Sequence, residues 1–260
     1  MKKPFISVIV PAYNEDKTVE DIIKALIASK HIDEIICVND GSTDKTEEIL
    51  EKYKQTITVI NLRENKGKGN ALAVGIKQAK GDIVVFLDAD LISLSDKHVK
   101  ALITPLLNKE YKAVMGYMVD KTGVSIFKEI TGQRAYFKKD LLPYLDEISE
   151  TRFGVEMFLN GLFENKDTKK FILRDLQSLQ KFQKQTPDVA VKEYIKEGIE
   201  ILKVIGNTEI FSEEDLKPIF EHLLPYTTLK ELRKYIAESK NKKIKESLEE
   251  YIKKYLGLTK

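Results

Sequence analysis

The stretch Phe86-Leu87-Asp88-Ala89-Asp90 places two carboxylates one residue apart at the end of an apolar run, residues 83–87. A continuous apolar run of this length predicts a strand that is buried on both faces of a parallel sheet. Ligands of such sheets bind just beyond the carboxyl ends of the strands. Two aspartates there would supply the oxygen ligands that hard divalent cations prefer. The stretch therefore predicts an α/β fold and a metal, Mg²⁺ or Mn²⁺, that holds a diphosphate. A turn or a helix N-cap is the alternative.

Strand and helix patterns alternate around this stretch. Strands are predicted at residues 5–10, 34–39, 57–61 and 83–88, and helices at 19–27, from about 44 to 53, and at 71–79. This alternation is typical of a mostly parallel sheet with helices on both faces. From about Leu173 onwards, the apolar residues recur at helical spacing only. We therefore predict a catalytic domain over residues 1–170 and a helical C-terminal region over residues 171–260.

Composition narrows the class of protein. The chain has 260 residues and a formal net charge of only +2, so its overall charge does not indicate nucleic-acid binding. Cys37 is the single cysteine and lies in an apolar run, which favours a buried, inert thiol and excludes an intrachain disulfide. No apolar run approaches the 18 residues of a membrane span. We expect a cytoplasmic protein.

Lysines become dense towards the C-terminus. A solvated helix face explains most such clusters, and an anionic partner surface is the alternative. The lysine-rich helices could contact the inner face of a membrane peripherally. They could also contact a second copy of the chain in a homo-oligomer. The residues concerned are Lys240, Lys242, Lys243, Lys245, Lys253 and Lys254.

Four polar motifs follow the ends of successive predicted strands. They are VPAYNE at 10–15, VNDGSTDKT at 38–46, NKGKGNAL at 65–72 and FLDADL at 86–91. Because the carboxyl ends of parallel strands meet at one edge of a sheet, these motifs converge where a nucleotide site belongs. A dinucleotide-binding loop is rejected, because Leu72 occupies its third small-residue position and the pattern follows a polar loop. A P-loop motif does not occur in the sequence.

These four motifs, in this order and spacing, resemble family 2 glycosyltransferases of the GT-A fold, and the resemblance covers about residues 4–165. GKGNAL, with the later TGQRAYF at 131–137 and RFGVE at 152–156, is more loosely similar to the glucosyl-3-phosphoglycerate synthase branch. The resemblance implies a metal-dependent enzyme that moves a sugar from a nucleoside-diphosphate sugar to a hydroxyl or phosphate acceptor. The acceptor would be a small phosphorylated molecule or a lipid phosphate.

The resemblance also implies roles for residues at the predicted sheet edge. Asp40 would accept the imide N–H of the base, and Lys68 would neutralise part of the diphosphate. Asp90 would hold the metal, and Asp88 the ribose, a metal-bound water or the metal itself, and this metal helps the nucleoside diphosphate to leave. Considered alone, Asp40 could also be an ordinary turn residue, and Lys68 could be a loop lysine without a binding role. The predicted nucleotide-sugar contacts are Pro11, Tyr13, Glu15, Asp40, Lys68, Asp88 and Ala89.

The second half of the expected site centres on Glu156. In the family an acid near this point acts as general base in inverting members or binds donor hydroxyls in the retaining branch. The resemblance leaves both roles open, because Met157 replaces the acid of the usual Glu-Asp pair. A first-turn acid favoured by the helix dipole is the other interpretation. We predict Glu156 and Asp90 as catalytic residues, and Gln133, Arg134 and Arg152 as acceptor ligands.

Two further alternatives stay open from the sequence. Some related enzymes use a late histidine as a metal ligand, and His222 is the only late one, although its surroundings favour a helix residue. The missing Glu-Asp pair also leaves room for a catalytically degenerate nucleotide-sugar-binding module that acts through its helical tail. The intact Asp88 and Asp90 argue against it.

Overall fold

The computed structural model describes residues 3–119, 131–163 and 165–178. The predicted helical tail from residue 179 onwards and His222 lie outside these residues. Within the described ranges, no helix is long and apolar enough to cross a membrane.

A seven-stranded sheet forms the centre of the described structure, in the order β3-β2-β1-β4-β7-β6-β8. Its first four strands are mutually parallel, β7 is antiparallel to both of its neighbours, and β8 is parallel to β6. A separate two-stranded sheet pairs β5 with β9. The strands are β1 Ile6–Ala12, β2 Glu34–Asn39, β3 Thr58–Asn61, β4 Ile83–Phe86, β5 Leu91–Ile92, β6 Ala113–Tyr117, β7 Arg134–Phe137, β8 Thr168–Ile172 and β9 Gln177–Ser178.

Helices cover both faces of this sheet, as the sequence predicted. On β1 the neighbours Val8 and Ile9 point to opposite faces and lie in two different apolar cores. One core includes α1 and α4, and the other includes α3, α6 and α7. The helices are α1 Val19–Ile27, α2 Thr46–Glu51, α3 Lys68–Gln78, α4 Asp96–Leu107, α5 Lys138–Leu141, α6 Leu145–Glu150 and α7 Val155–Leu162.

The central strand β4 confirms the opening prediction of a strand buried on both faces. Val85 and Leu87 pack into one core, whereas Val84 and Phe86 pack into the other. The strand itself ends at Phe86, two residues earlier than expected.

Two other element boundaries differ from the sequence prediction. α3 begins at Lys68 and not at Ala71, because the left-handed Gly67, with a φ of 95°, starts the helix and its carbonyl accepts the N–H of Ala71. β8 runs across the predicted domain boundary at residue 170 and pairs with β6 in the large sheet. The large sheet therefore extends at least to Ile172.

Candidate active site

The carboxyl ends of the parallel strands bring Asp40, Lys68 and Asp88 together at one edge of the sheet. Asp40 follows β2, Lys68 opens α3, and Asp88 lies two residues after β4. Glu156, in the first turn of α7, joins them from the other half of the chain. These four residues come from four separate elements and form one connected cluster.

Asp40 fixes the loop that carries Lys68. Its carboxylate is 3% exposed, and its two oxygens accept the backbone N–H groups of Lys66 at 2.9 Å and Gly67 at 2.8 Å. Buried backbone N–H groups need such acceptors, so Asp40 holds the turn that starts α3. Its predicted contact with a base stays a prediction.

The ammonium of Lys68 bridges two carboxylates. Nζ lies 2.5 Å from Oδ1 of Asp88 and 2.6 Å from Oε1 of Glu156. Burial by itself would lower the pKa of Lys68, but the two neighbouring carboxylates outweigh burial and raise that pKa above its ordinary value. Lys68 therefore remains a cation at the centre of the cluster at any physiological pH.

Gln133 orients Asp88 from behind. Its Nε2 donates to Oδ2 of Asp88 at 2.7 Å, and its Oε1 accepts the hydroxyl of Thr131 at 2.6 Å. Gln133 is 1% exposed, and a Cβ on the neighbouring Gly132 would collide with the Asp88 carboxylate. The geometry makes Gln133 a support for Asp88, while its predicted acceptor role stays a prediction.

Asp88 and Asp90 fit a metal that arrives with its diphosphate. Both oxygens of Asp88 already accept hydrogen bonds, and Asp90 is half-buried two residues further on. Within the described residues, no group of three or more His, Cys, Asp or Glu side chains is placed to hold a metal. Mg²⁺ typically binds through one or two carboxylates and completes its shell with phosphates and water, and carboxylates also suit Mn²⁺. The two aspartates fit that mode and not a cage of protein ligands alone.

Glu156 lies almost fully inside the protein, with 6% of the residue exposed. Its position in the first turn of α7 agrees with the helix start predicted from the sequence. The field of its carboxylate reaches Tyr136, whose pKa is raised mainly by burial, while the neighbouring Arg134 opposes the rise. A helix N-terminus and the Lys68 ammonium both stabilise a negative charge at this position.

Arg134 lies on β7 and is 1% exposed. Its guanidinium donates to the carbonyl of Thr131 at 2.6 Å, the hydroxyl of Tyr136 at 3.2 Å and Oδ1 of Asn160 at 2.7 Å. These contacts hold the start of β7 against α7. No sequence pattern indicated the roles of Tyr136 and Asn160, because both lie in apolar patterns. The predicted acceptor role of Arg134 stays a prediction.

Arg152 closes the cluster from the segment before α7. It has a φ of 50°, and its Nη1 donates to the carbonyl of Lys66 at 3.1 Å. Gly67 leaves room for this approach, because a Cβ there would collide with Arg152. The side chain is half-buried beside the loop that carries Lys68, and acceptor binding by it stays a prediction.

The predicted base and ribose contacts lie at the end of β1, which contains Pro11, and in the loop that follows it. Pro11, Tyr13 and Glu15 are half-buried, and Ala89 is 3% exposed. The backbone of Glu15 donates to Oγ1 of Thr46 at 2.8 Å, which ties the loop after β1 to the start of α2. This places the first and second motifs side by side at the edge of the sheet.

Comparisons with known proteins agree with this architecture. The family model for glycosyl transferase family 2 matches residues 7–160. The poly-β-1,6-N-acetyl-D-glucosamine synthase of Staphylococcus aureus (strain COL) is 44% identical over 102 residues, which cover 35% of this chain and 25% of that protein. The synthase of Staphylococcus epidermidis is 41% identical over 90 residues, covering 34% of this chain and 22% of the relative. This chain thus spans about a quarter of the length of these curated relatives.

Solved structures show the same fold. The glucosyl-3-phosphoglycerate synthase of Mycobacterium tuberculosis, in complex with Mn²⁺, uridine diphosphate and glucosyl-3-phosphoglycerate, is 22% identical with a TM-score of 0.61. The match covers 80% of this chain and 81% of that one. Another crystal structure of this synthase is 24% identical with a TM-score of 0.53, covering 65% of this chain and 70% of that one. The predicted GT-A fold is confirmed. Because the family model spans more than half of the sequence, the chain belongs to glycosyl transferase family 2.

Proposed function

We propose that the protein is a metal-dependent glycosyltransferase that moves a sugar from a nucleoside-diphosphate sugar to a hydroxyl or phosphate acceptor. The observation that carries the proposal is the bridge from Asp88 through Lys68 to Glu156 at the edge of the sheet. It unites a phosphate-binding cation, a metal-binding carboxylate and an acid at the reacting face. Family membership supports the same chemistry.

On the donor side, the residues bind and neutralise the diphosphate. Lys68 would donate to a phosphate oxygen, and Asp88 and Asp90 would hold the Mg²⁺ or Mn²⁺ that arrives with it. When bound, this metal would stabilise the negative charge that develops on the departing nucleoside diphosphate. Asp40 keeps the loop of Lys68 in place through Lys66 and Gly67. Pro11, Tyr13 and Glu15 would line the base and ribose.

On the acceptor side, Glu156 is the acid at the reacting face. Lys68 attracts its carboxylate before substrate binds. Once Lys68 donates to the diphosphate, the Glu156 carboxylate would take a proton from the acceptor hydroxyl or bind hydroxyls of the donor sugar. Glu156 is almost fully buried, so protein atoms and little bulk water surround its carboxylate.

For the acceptor we propose a small phosphorylated molecule or a lipid phosphate. The Mycobacterium tuberculosis synthase was crystallised with phosphoglyceric acid and with glycerol 3-phosphate, which supports the first of these. Arg152 donates to the backbone carbonyl of Lys66 beside the cluster, and its guanidinium would supply positive charge for a phosphate.

A panel of nucleoside-diphosphate sugars tests the proposal directly. Each would be added with Mn²⁺, with Mg²⁺ or with a chelator, and the thermal midpoint would be measured, because a ligand that binds only the folded state must raise it. The donor that stabilises most would then be incubated with phosphorylated acceptors, and the released nucleoside diphosphate counted. Metal-dependent stabilisation with transfer supports the proposal. Stabilisation without transfer to any acceptor would favour the nucleotide-sugar-binding module, and no stabilisation by any donor would refute both.

A further inference from the structure

A second, small sheet begins directly after Asp90. β5 pairs antiparallel with β9, so that Leu91 lies opposite Ser178 and Ile92 opposite Gln177. In the described part of the chain, β9 is the only strand that pairs with β5. The path of the backbone that leaves Asp90 therefore depends on a segment more than 80 residues later in the sequence.

Two leucines anchor this later segment in the core. Leu173 and Leu176 are 3% and 4% exposed, and both belong to the apolar core that contains Leu91. The N–H of Leu173 also donates to the carbonyl of Tyr117 at 2.8 Å. The residues between β8 and β9 are thus fixed by packing at both leucines.

His98 supplies the polar anchor between these leucines. It lies in α4, is 3% exposed, and its Nε2 contacts the carbonyl of Arg174 at 2.9 Å. Its Nδ1 accepts the N–H of Ser95 at 3.1 Å. A carbonyl can only accept and a backbone N–H can only donate, so the ring is neutral with its proton on Nε2. One imidazole therefore joins the start of α4 to the segment that leads into β9.

We infer that His98 is a positioning residue for residues 88–90, the loop that carries the proposed metal ligands. The connection runs from His98 to the Arg174 carbonyl, then along residues 175–178 into β9, across the strand pair to β5, and so to Asp90. The first step is a hydrogen bond from the His98 side chain to the backbone, and the later steps are strand pairing or short stretches of chain. The inference rests on the proposed function only for its consequence in metal binding, because the positioning itself is a property of the fold.

A pair of variants that differ by one atom isolates the bond to Arg174. His98→Gln offers an oxygen to Ser95 and an N–H to the Arg174 carbonyl, as the imidazole does. His98→Glu still offers the oxygen that caps α4, as acids at this helix position do, but places a second oxygen against the Arg174 carbonyl. Lys97→Met is the control, since its ion pair with Asp175 is exposed and contributes little.

Hydrogen exchange of the free protein gives the first readout and needs no ligand. In His98→Glu we expect amides of residues 89–92 and 174–178 to exchange on the order of tenfold faster than in the wild type, because a buried acceptor loses its donor. His98→Gln and Lys97→Met should exchange as the wild type does. Faster exchange confined to residues 174–178, or equal effects of the Gln and Glu variants, would overturn the inference. If His98→Glu does not fold, Leu176→Ala loosens the same segment and should expose the same amides.

Titration of Mn²⁺ in the presence of uridine diphosphate gives the second readout. We expect His98→Glu to weaken Mn²⁺ binding on the order of tenfold, as loss of a residue that supports metal ligands commonly does, while His98→Gln binds as the wild type. Unchanged Mn²⁺ affinity in His98→Glu would overturn the link to the metal ligands. If the wild type itself shows no metal-dependent binding of any nucleoside diphosphate, the proposed function fails, and hydrogen exchange alone decides whether His98 positions the loop.

Discussion

Nζ of Lys68 lies 2.6 Å from Oε1 of Glu156, and the two residues are joined by this contact across 88 positions of sequence. The same ammonium lies 2.5 Å from Asp88. All three side chains are mostly buried, with 16%, 8% and 27% of Lys68, Glu156 and Asp88 exposed. The cluster therefore has a structural role in addition to the proposed chemistry.

Lys68→Met should lower the free energy of unfolding by about 3 kcal/mol, because removing one member of a buried ion cluster leaves the others uncompensated. Denaturant unfolding at neutral pH measures this. Lys66→Met is the matched control, since Lys66 is exposed and, among the ion pairs of the described residues, pairs only with Glu64. This variant should change the free energy of unfolding by less than about 1 kcal/mol. Equal stability of the two variants would contradict the central place of Lys68.

The central strands could be predicted because their signals are local. The apolar runs of β1, β2 and β4 identify buried parallel strands without any knowledge of their neighbours. Because parallel strands end at the same edge of a sheet, the motifs that follow these strands are brought to that edge by the topology alone. The start of α3 could not be predicted. Gly67-Lys68-Gly69 looks like a loop, and the contacts that leave no room for a Cβ on either glycine come from Ile148 and Arg152, which are about 80 residues away.

The contacts within the site were harder to predict than its members. The sequence indicated Asp40, Lys68, Asp88 and Glu156 as separate motif residues, but gave no sign that Lys68 pairs with two of them. Gln133 is similar: from its place in TGQRAYF it was predicted as an acceptor ligand, and the sequence did not indicate that it contacts Asp88 beside the antiparallel strand β7. Pairing across the sheet decides such contacts, and it has no local signature.

Asp40→Asn should destabilise the fold and weaken binding of the nucleoside diphosphate together. An amide has only one oxygen to accept the two N–H groups of Lys66 and Gly67, and one unsatisfied buried donor costs about 1–3 kcal/mol. Asp33→Asn is the control, because Asp33 also accepts a backbone N–H, that of Ile6, but at the opposite end of the sheet. It should lower stability and leave donor affinity unchanged, as calorimetric titration can measure. A donor affinity unaffected in Asp40→Asn would remove Asp40 from the site.

Gln133→Leu should weaken metal-dependent binding of the nucleoside diphosphate. Without the donor at Oδ2, Asp88 loses the contact that fixes its orientation, and loss of such a supporting residue typically costs about 10–100-fold in metal affinity. Thr131→Val keeps Gln133 but removes the hydroxyl that orients it, so its effect should be smaller and in the same direction. Titration of Mn²⁺ with a fixed nucleoside diphosphate compares them. A larger loss of metal affinity in Thr131→Val than in Gln133→Leu would contradict the inference that Thr131 acts on Asp88 through Gln133.

Asp90→Asn should abolish transfer and weaken nucleoside-diphosphate binding only when metal is present. A neutral amide loses most of the attraction of a carboxylate for a divalent cation. Binding in a chelator should match that of the wild type, which serves as the internal control for folding. Wild-type activity of the variant in added Mn²⁺ would show that Asp90 is not a metal ligand.

Glu156→Gln separates the two roles left open for this acid. The amide keeps the shape of the side chain and an oxygen that can face Lys68, but it cannot take a proton. If Glu156 is the general base, the turnover number should fall by roughly 10²–10⁴-fold while donor affinity stays near normal, since a positioned base contributes about that much to rate. If Glu156 instead binds donor hydroxyls, affinity should fall along with the rate. The product should then be inverted in the first case and retained in the second. Glu48→Gln, an exposed acid on α2 that pairs with Lys52 at the surface, is the control and should leave both constants unchanged. A wild-type rate in Glu156→Gln would eliminate both roles and direct the search for the reacting acid to Asp140, Asp146 and Glu150, which lie close in sequence.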